Sequence, residues 1–583
     1  MFQQFIHILL VSIVCITWGI PVALIFSHTI LRDNFWYRSF TSFLSFLFFS
    51  GCLLIGFTSS WLCLFSPLKF IYLAIFTIIL VFYLYVFQRR KIRPLFNQHY
   101  YPFQKHSPVQ VLFLVISLCL FLFLATLKPV NWDMQFYHLQ VIRWQAEYGA
   151  VPGIANLYPR LGLGSNWFNI ISFFYLPGVK SENFTYLNAA LVSWFFLWLF
   201  SIWRYHFQQF NTNNSSRVLS IFYFLILLYS LLDWQLFRDT SNSTSYDFVV
   251  NSFIILVFSF FIEGVFNNYN RDRFSMIVLL FSLSIISFKF SGIFILILVL
   301  YHVITTRKAV NWPLLITVGL LILLPVLIKN YISTGYPLFP ATLTINTPDW
   351  QFPKEMADRF YRYIILSNKF YNSQWSFIDN FPHTTFNWIP FWFTGILWKH
   401  KIILALAILS CLFLFIKTQL PINHRVLRHL ILILFLMISF WFFTAPDPGR
   451  FGYGILLTAS FLTLSIIFYR IIPMKIFNPT LFLTSIIICL YIFKKSESLI
   501  DNPINLVFPI ASDIPAYKRI ITRKTEIHLP DIINENWDHR CYFTPLPCIT
   551  QENPYLQPRG STIKDGFRMA PYPDSNFIRN YEY

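Results

Sequence analysis

Four short stretches of this 583-residue chain carry groups able to move a proton or grip an anion. The first is Asn131-Trp132-Asp133-Met134-Gln135-Phe136-Tyr137-His138, followed by Arg143, Trp144 and a Gly- and Pro-rich run through Arg160. Helical spacing from Asp133 to Tyr137, and from Met134 to His138, would stack these side chains on neighbouring faces of an interfacial helix. Trp132 and Phe136 make the surroundings of Asp133 apolar, which is expected to raise the basicity of the carboxylate. Such a group suits a general base or a cation ligand. The competing reading is an aromatic belt with Asp133 as a helix cap, and the residues alone favour neither.

The second stretch runs from Arg238-Asp239 to Ser245-Tyr246-Asp247, at the start of an apolar run. There Asp247 is expected first as a cap favoured by the helix dipole. The third is Lys289 in Ser287-Phe288-Lys289-Phe290-Ser291-Gly292. A lysine amid apolar residues calls for an anionic partner, unless it sits at a hairpin tip and reaches for the surface. The fourth is Asp447-Pro448-Gly449-Arg450-Phe451. The Arg450 guanidinium could hold a phosphate through two parallel hydrogen bonds, or pair with Asp447 and merely fix the turn. Asn330-Tyr331 through Gly335-Tyr336-Pro337-Leu338-Phe339-Pro340 reads as a rigid turn, architecture more than chemistry.

The elements that must position these residues are membrane helices. The chain is 56% hydrophobic and 12% charged, with a mean hydropathy of +0.56 and 69 Phe, whereas soluble domains carry about 25% charged residues. A crossing needs roughly 20 mostly apolar residues, and runs of that kind begin at Phe5, Phe40, Phe70, Val109, Phe184, Val218, Phe248, Phe274, Ile293, Trp312, Ile402, Leu430, Phe451 and Leu481. The expectation is therefore about fourteen spans, several of them short. Phe5–Phe26 reads as an uncleaved helix, because no basic residue precedes it and no small-residue cleavage site follows.

Short loops rich in Lys and Arg favour the cytoplasm. Placing Arg89, Arg90, Lys91 and Arg93 inside also puts Arg32, Arg38, Arg204, Arg217, Arg271, Arg273, Arg307, Lys308, Arg425, Arg428, Arg470 and Lys475 inside. This requires a hairpin around Lys289 in place of one long helix over 274–304. Lys494 and Lys495 run against it, since the tail is then outside. Every long polar loop and all four candidate stretches share that outer face. The net charge of +19 is scattered between apolar runs and forms no basic face, so a nucleic-acid partner is not expected. No Gly-rich nucleotide loop, DxD, CxxC or Cys/His zinc spacing is present. Six of the eight cysteines lie in or beside apolar runs. Cys541 and Cys548 lie close together in a polar, Pro-rich tail, where a disulfide would require an oxidising compartment.

Taken together, Trp132-Asp133 with Tyr137-His138, Asp247 before a span, Lys289-x-Ser291-Gly292, the Asn330 to Pro340 turn and Pro448-x-Arg450-Phe451 resemble the GT-C glycosyltransferases. Those multispanning enzymes use polyprenyl-phosphate-linked sugars; aminoarabinose transferases and protein O-mannosyltransferases are of this kind. The stretch Trp132–Trp167 and the Pro448–Phe451 turn also look like an uncharacterised group of bacterial multispanning membrane proteins. The resemblance spans roughly Val109 to Phe493 and rests on short motifs. It departs from the better-known members in two ways. Three spans precede the one leading into the acidic loop, where they have one. The loop also carries a single Asp beside Trp132 where many have paired acids, which leaves dependence on a divalent metal open.

The resemblance implies an all-α, polytopic, GT-C-like protein with non-cytoplasmic loops and tail, in a bacterial inner membrane. It would divide into N-terminal spans (1–108), a GT-C-like core (109–493) and a Pro-rich tail (494–583). The implied activity moves a sugar from a polyprenyl-phosphate donor to an unnamed acceptor, with membrane lipid as surroundings. Asp133, His138 and Asp247 are the expected catalytic set, with Asp133 the acceptor-activating base or metal contact. Lys289, Arg450 and Arg160 are the expected donor-phosphate set, and Asp247 stands close to it. The rival is a transporter or lipid flippase, disfavoured by the lack of a visible repeat and by ionisable residues gathered at one interface. A catalytically inactive scaffold is the third possibility.

Overall fold

A computed structural model describes all residues except 1, 31–38, 98–106, 128–130, 177–185, 234–238, 268–274, 306–311, 371–385, 415–423, 497–515, 523–524, 532–539 and 582–583. The loop residues Arg32, Arg38, Arg238, Arg271, Arg273, Arg307 and Lys308 therefore lie outside the described residues.

Each apolar run forms a helix. Among the described residues nine helices are long and apolar enough to cross a membrane, or up to ten if one bent pair counts as a span. Four more apolar helices are shorter: Pro108–Leu124, Met276–Phe288, Phe290–Thr305 and Tyr453–Phe468. The run at Ile402 belongs to the bent pair, in which Trp388–Gly395 and Trp398–Leu412 meet at 117°. An apolar stretch cannot by itself distinguish a straight span from a broken one. This is a helical membrane protein, and among the described residues its full-length apolar helices are fewer than its apolar runs.

The first two helices, Phe2–Ile30 and Phe40–Phe65, pack backbone to backbone. A Cβ on Gly19 would lie 1.9 Å from the Leu47 carbonyl oxygen, and one on Gly51 would lie 1.7 Å from that of Cys15. Small residues permit this approach where lipid supplies no hydrophobic drive for helix association. At the centre stands the helix Asp247–Asn267, whose apolar window is buried throughout. A helix apolar on every face can only be satisfied there. Around Lys289 the chain does turn back: Leu279 on the Ser275–Phe288 arm packs with Val299 and Val303 on the Ile295–Thr305 arm.

The tail departs from the all-α expectation. Strands β1 (Tyr517–Thr522) and β2 (Thr525–Pro530) pair antiparallel, as do β3 (Leu556–Pro558) and β4 (Phe567–Met569). These are three to six residues long, below the length at which alternation is legible. The tail does not hang free. Tyr542 N–H donates to the Gln135 carbonyl at 3.0 Å, Arg143 donates to the Thr544 carbonyl at 2.8 Å, and Phe567 N–H donates to Pro152. Tail and first acidic loop thus share one end of the bundle. Cys541 and Cys548 are joined by a disulfide that closes this docking segment.

Candidate active site

Asp133 leads into a π-turn, Met134–His138, that continues as the helix Leu139–Glu147. The wider π-turn replaces the α-helical spacing anticipated between Asp133 and Tyr137, and such turns recur at functional sites. Asp133 does not cap this helix. Its carboxylate makes no capping bond, and Asn131 Oδ1 accepts from Met134 N–H at 2.9 Å instead. The Asp133 side chain is left to other partners.

Arg160 arrives on a short 3-10 turn, Pro159–Gly162, after a loop that only glycine allows. Gly153 has φ +63, and a Cβ there would meet the Phe567 carbonyl oxygen at 2.0 Å. Asp247 opens the central helix, and the strand of loop before it is held by Asn188, whose amide donates to the Ser245 carbonyl at 2.7 Å. Lys289 stands at the hairpin tip. Ser165 Oγ donates to the Phe288 carbonyl there at 2.7 Å, tying the tip to the first acidic loop.

Arg450 is placed by its turn. Asp447 Oδ1 accepts from Gly449 N–H at 2.9 Å and from Arg450 N–H at 3.0 Å. Asp447 therefore fixes the turn through the backbone, leaving the guanidinium to point elsewhere. The other side of the turn is held by Asn251, one helical turn below Asp247. Its amide donates to the Arg450 carbonyl at 2.8 Å and accepts from Gly454 N–H at 2.7 Å.

These separate stretches meet in one alternating ion chain. Arg160 Nη1 donates to Asp133 Oδ1 at 3.1 Å, and Arg450 Nη2 donates to Asp133 Oδ2 at 2.8 Å. Arg450 Nε donates to Asp247 Oδ2 at 2.7 Å, and Lys289 Nζ bonds Asp247 Oδ1. The order is Arg160, Asp133, Arg450, Asp247, Lys289, with a cation at each end. Lys289 does not reach for the surface: its ammonium lies 4.0 Å from the Phe451 ring centroid and 4.7 Å from that of Tyr246. Arg160 similarly stands over Tyr137 at 5.8 Å and Tyr363 at 5.9 Å. Aromatic walls of this kind favour cations and exclude water.

The electrostatics correct one expectation. Burial pushes the Asp133 carboxyl upward, but Arg450 and then Arg160 outweigh it and hold the group below its ordinary value. Asp133 is thus a weaker base than an isolated apolar-flanked carboxylate, as long as both guanidiniums stay on it. His138 lies beside the chain, buried among Tyr137, Phe168 and Tyr246. Burial lowers its imidazole to about 3, so it is neutral at physiological pH. Its Nδ1 contacts Thr244 Oγ1 at 3.1 Å, while Nε2 is buried with no hydrogen-bond partner.

Each of the two carboxylates is paired with two cations. No group of three or more His, Cys, Asp or Glu among the described residues could hold a metal ion. A cation at each end of the chain suits an anion.

Sequence reasoning missed several groups. Asn251 and Asn188 carried no signal beyond being polar residues in apolar runs. Buried ionisable groups also lie away from the loop-bearing end. His206 Nε2 and Glu263 Oε1 are 2.6 Å apart and almost wholly buried, and Tyr223 Oη donates to the same oxygen at 3.1 Å. Glu263 is about 24 Å along its helix from Asp247, at 1.5 Å per residue. Nearer the loop-bearing end, a few residues before its helix Trp312–Thr334 runs into the Asn330 to Pro340 turn, Lys329 Nζ is also buried and donates to Asn169 Oδ1 at 2.7 Å. Ionisable residues are therefore not confined to one interface. Glu263 is a single acid in an apolar run, and nothing in the sequence linked it to His206, 57 positions earlier.

A family model described as a domain of unknown function, DUF8201, matches residues 1–457, and the chain belongs to that family. All five residues of the ion chain fall within the matched region, whereas the docked tail lies beyond it. No curated protein and no solved structure matches the chain.

Proposed function

We propose that this family member is a membrane glycosyltransferase of GT-C type, moving a sugar from a polyprenyl-phosphate-linked donor to an acceptor hydroxyl at the loop-bearing face. The observation that carries the reading is the five-membered ion chain, assembled from loops that are far apart in sequence. Within it three cations alternate with two carboxylates. A donor phosphate can therefore take up Arg450, Lys289 and Arg160, competing with the carboxylates for them.

That exchange would set the base free. With the guanidiniums turned to phosphate, burial raises the Asp133 carboxylate's basicity. The acceptor oxygen attacks the anomeric carbon and gives its proton to Asp133. The bond from that carbon to the phosphate oxygen breaks, and polyprenyl phosphate leaves with the electron pair, its charge met by the cations. Asp247 keeps Lys289 and Arg450 aligned between turnovers. His138, neutral and apolar-walled, serves as a wall of the sugar site with one available ring nitrogen. This assignment departs from an acid–base role, because an imidazole lowered to about 3 is uncharged near neutral pH, a weak base with no imidazolium proton to give.

The test is a reconstitution of the purified chain with synthetic polyprenyl-phosphate-linked sugars. Release of polyprenyl phosphate, dependent on Asp133 and Arg450, is the expected result. Failure to bind or consume any such donor would remove the proposal. A transporter or flippase remains the second reading, because the buried His206–Glu263 pair is the kind of intramembrane ionisable group that ion-coupled transport uses. Flux across sealed vesicles without chemical turnover would favour it.

A further inference from the structure

A further buried cation stands outside the ion chain. The helix Trp312–Thr334 presents Leu320, Leu321 and Leu324 to lipid and buries Ile322, Pro325, Val326, Lys329 and Ser333. The buried positions recur at helical spacing, so Lys329 lies on the stripe that packs into the bundle. Pro325 has no N–H to give, which leaves the Leu321 carbonyl outside the helix ladder. The Trp61 indole, from the helix Phe40–Phe65, donates to that carbonyl at 2.9 Å and closes the seam there. This closure lies about 12 Å further from the loop-bearing end than Lys329, at 1.5 Å per residue. Around Lys329 itself the lining is polar. Its Nζ donates to Asn169 Oδ1 at 2.7 Å, Asn169 Nδ2 donates to Asn166 Oδ1 at 3.2 Å, and Asn166 Nδ2 donates to Ser287 Oγ at 3.5 Å. A Cβ on Gly56 would lie 3.2 Å from Asn166 Nδ2, so that glycine makes room for the amide ladder.

We infer that Lys329 binds a phosphate ester that enters from the loop-bearing face, at a site separate from the ion chain. Among the described residues no carboxylate pairs with this lysine. Asn169 is its hydrogen-bond partner there, and the buried thiol of Cys63 is the one ionisable group that acts on it. An ordinary thiol is neutral at physiological pH, so it brings no negative charge. An ammonium taken out of water without an anion is strongly unfavourable, and the missing anion is supplied by a ligand. Of its three N–H donors one is spent on Asn169, and a compact ammonium holds phosphate as a point charge. Depth selects the kind of ligand. Lys329 lies five residues, about 7.5 Å, inside the end of its helix, and the headgroup zone of a bilayer is roughly 5–7 Å deep on each side. A phosphate there is borne by a lipid headgroup or by a soluble ester. The ladder ends at Ser287, two residues before Lys289, so the site adjoins the hairpin tip without sharing its carboxylate. The inference does not rest on glycosyl transfer.

The experiment uses the full chain purified in dodecyl maltoside, which carries no phosphate. Native mass spectrometry first counts phospholipid retained through purification. Titration with phosphatidylglycerol, and separately with inorganic phosphate, is then followed by hydrogen exchange in 165–172 and 326–334. Retained phospholipid, or slower exchange in both segments on titration, is expected in the native chain and in Lys329→Arg. In Lys329→Met the lipid should be lost, or half-saturation weakened about tenfold or more. Retained lipid, or a response to phosphatidylglycerol alone, assigns a lipid headgroup, and a response to inorganic phosphate assigns a soluble ester. Arg450→Ala should leave the effect intact, which separates it from the donor-phosphate site. Lys329→Met keeps the length of the stem without its charge. Should it misfold, Asn169→Asp serves, because it sets a carboxylate on the lysine and should raise the thermal midpoint while abolishing the response. A native chain that neither retains phospholipid nor responds to either anion holds Lys329 as an uncharged amine, and the inference falls. It falls equally if the effect survives in Lys329→Met or in Asn169→Asp, or if Arg450→Ala abolishes it.

Discussion

Arg450 and Asp247 stand 203 positions apart in the chain and 2.7 Å apart in space, guanidinium Nε to carboxylate Oδ2. The same guanidinium reaches Asp133 through Nη2 at 2.8 Å. Only arginine can span both carboxylates, since a lysine ammonium is one compact charge on a flexible stem. Arg450→Lys should therefore behave almost as badly as Arg450→Ala. The expected loss in kcat is about 10²–10³-fold, the usual cost of removing one preorganised donor, with KM for the donor raised. Near-native turnover in Arg450→Lys would show that bridging is not needed.

His138 provides a pH signature. In an unfolded chain it titrates near pH 6.5, while in the folded protein burial lowers it to about 3. Between those values the unfolded chain binds more protons, so stability rises with pH across the window and is lost as pH falls from about 6.5 toward 3. The thermal midpoint should drop between pH 7 and pH 5, and His138→Gln should drop less over the same interval. Parallel pH profiles for the two proteins would place the titrating group elsewhere.

Reduction of the Cys541–Cys548 disulfide should loosen the tail's grip on the acidic loop. Gln140 Nε2 donates to the Tyr542 carbonyl at 3.0 Å, and the Arg540 guanidinium stands 3.6 Å from the centroid of Trp132, the neighbour of Asp133. A short closed loop contributes about 2–3 kcal/mol. Cys541→Ser with Cys548→Ser should raise hydrogen exchange in both 540–549 and 131–147. Faster exchange in the tail alone would mean that the docking does not brace the site.

Membrane sidedness is read by reporter fusions. Arg90 and Lys308 should report cytoplasm, and Gly162 and Asp513 the opposite side. The docking of the tail on Gln135 and Pro152 requires Gly162 and the tail to agree. Reporters that place these two on different sides would contradict the packing as well as the charge rule.

Much of this was legible in the residues. Hydropathy located the helices, and the rarity of charge in apolar runs singled out Lys289, Asp247 and Arg450 before any geometry was known. What remained hidden follows from the physics of long-range contact. The choice between Asp447 and two distant aspartates for Arg450 depends on how the helices pack. So does the role of Asn251, whose amide donates to the Asp247 carbonyl in its own helix and also to a turn some two hundred residues later. The Asp133 carboxylate had been read from its neighbours in sequence as apolar-flanked and basic, yet its neighbours in space are two guanidiniums. The strands of the tail were below the length at which periodicity speaks, and their buried side chains, Ile527, Leu556 and Phe567 among them, join the core of the bundle, which no local pattern announces.

Asp133 is the residue on which the mechanism turns. Its carboxylate holds Arg160 and Arg450 at rest, and on the proposed pathway it takes the acceptor's proton once phosphate has drawn them off. Asp133→Asn keeps the shape and can still accept one hydrogen bond, but it has no basic site. A general base is typically worth 10²–10⁴-fold in rate, so transfer should fall by about that range while donor binding persists or tightens, because the competing carboxylate has lost its charge. Each of Asp133 and Arg160 is only 20% exposed, so losing the charge takes one partner from the largely desolvated Arg160 and from Arg450 and should lower the thermal midpoint. The measurements are turnover, donor affinity and thermal midpoint on the same preparation. Full activity would remove Asp133 from the chemistry. Lost activity together with lost donor binding would instead make it a positioning group for the two arginines.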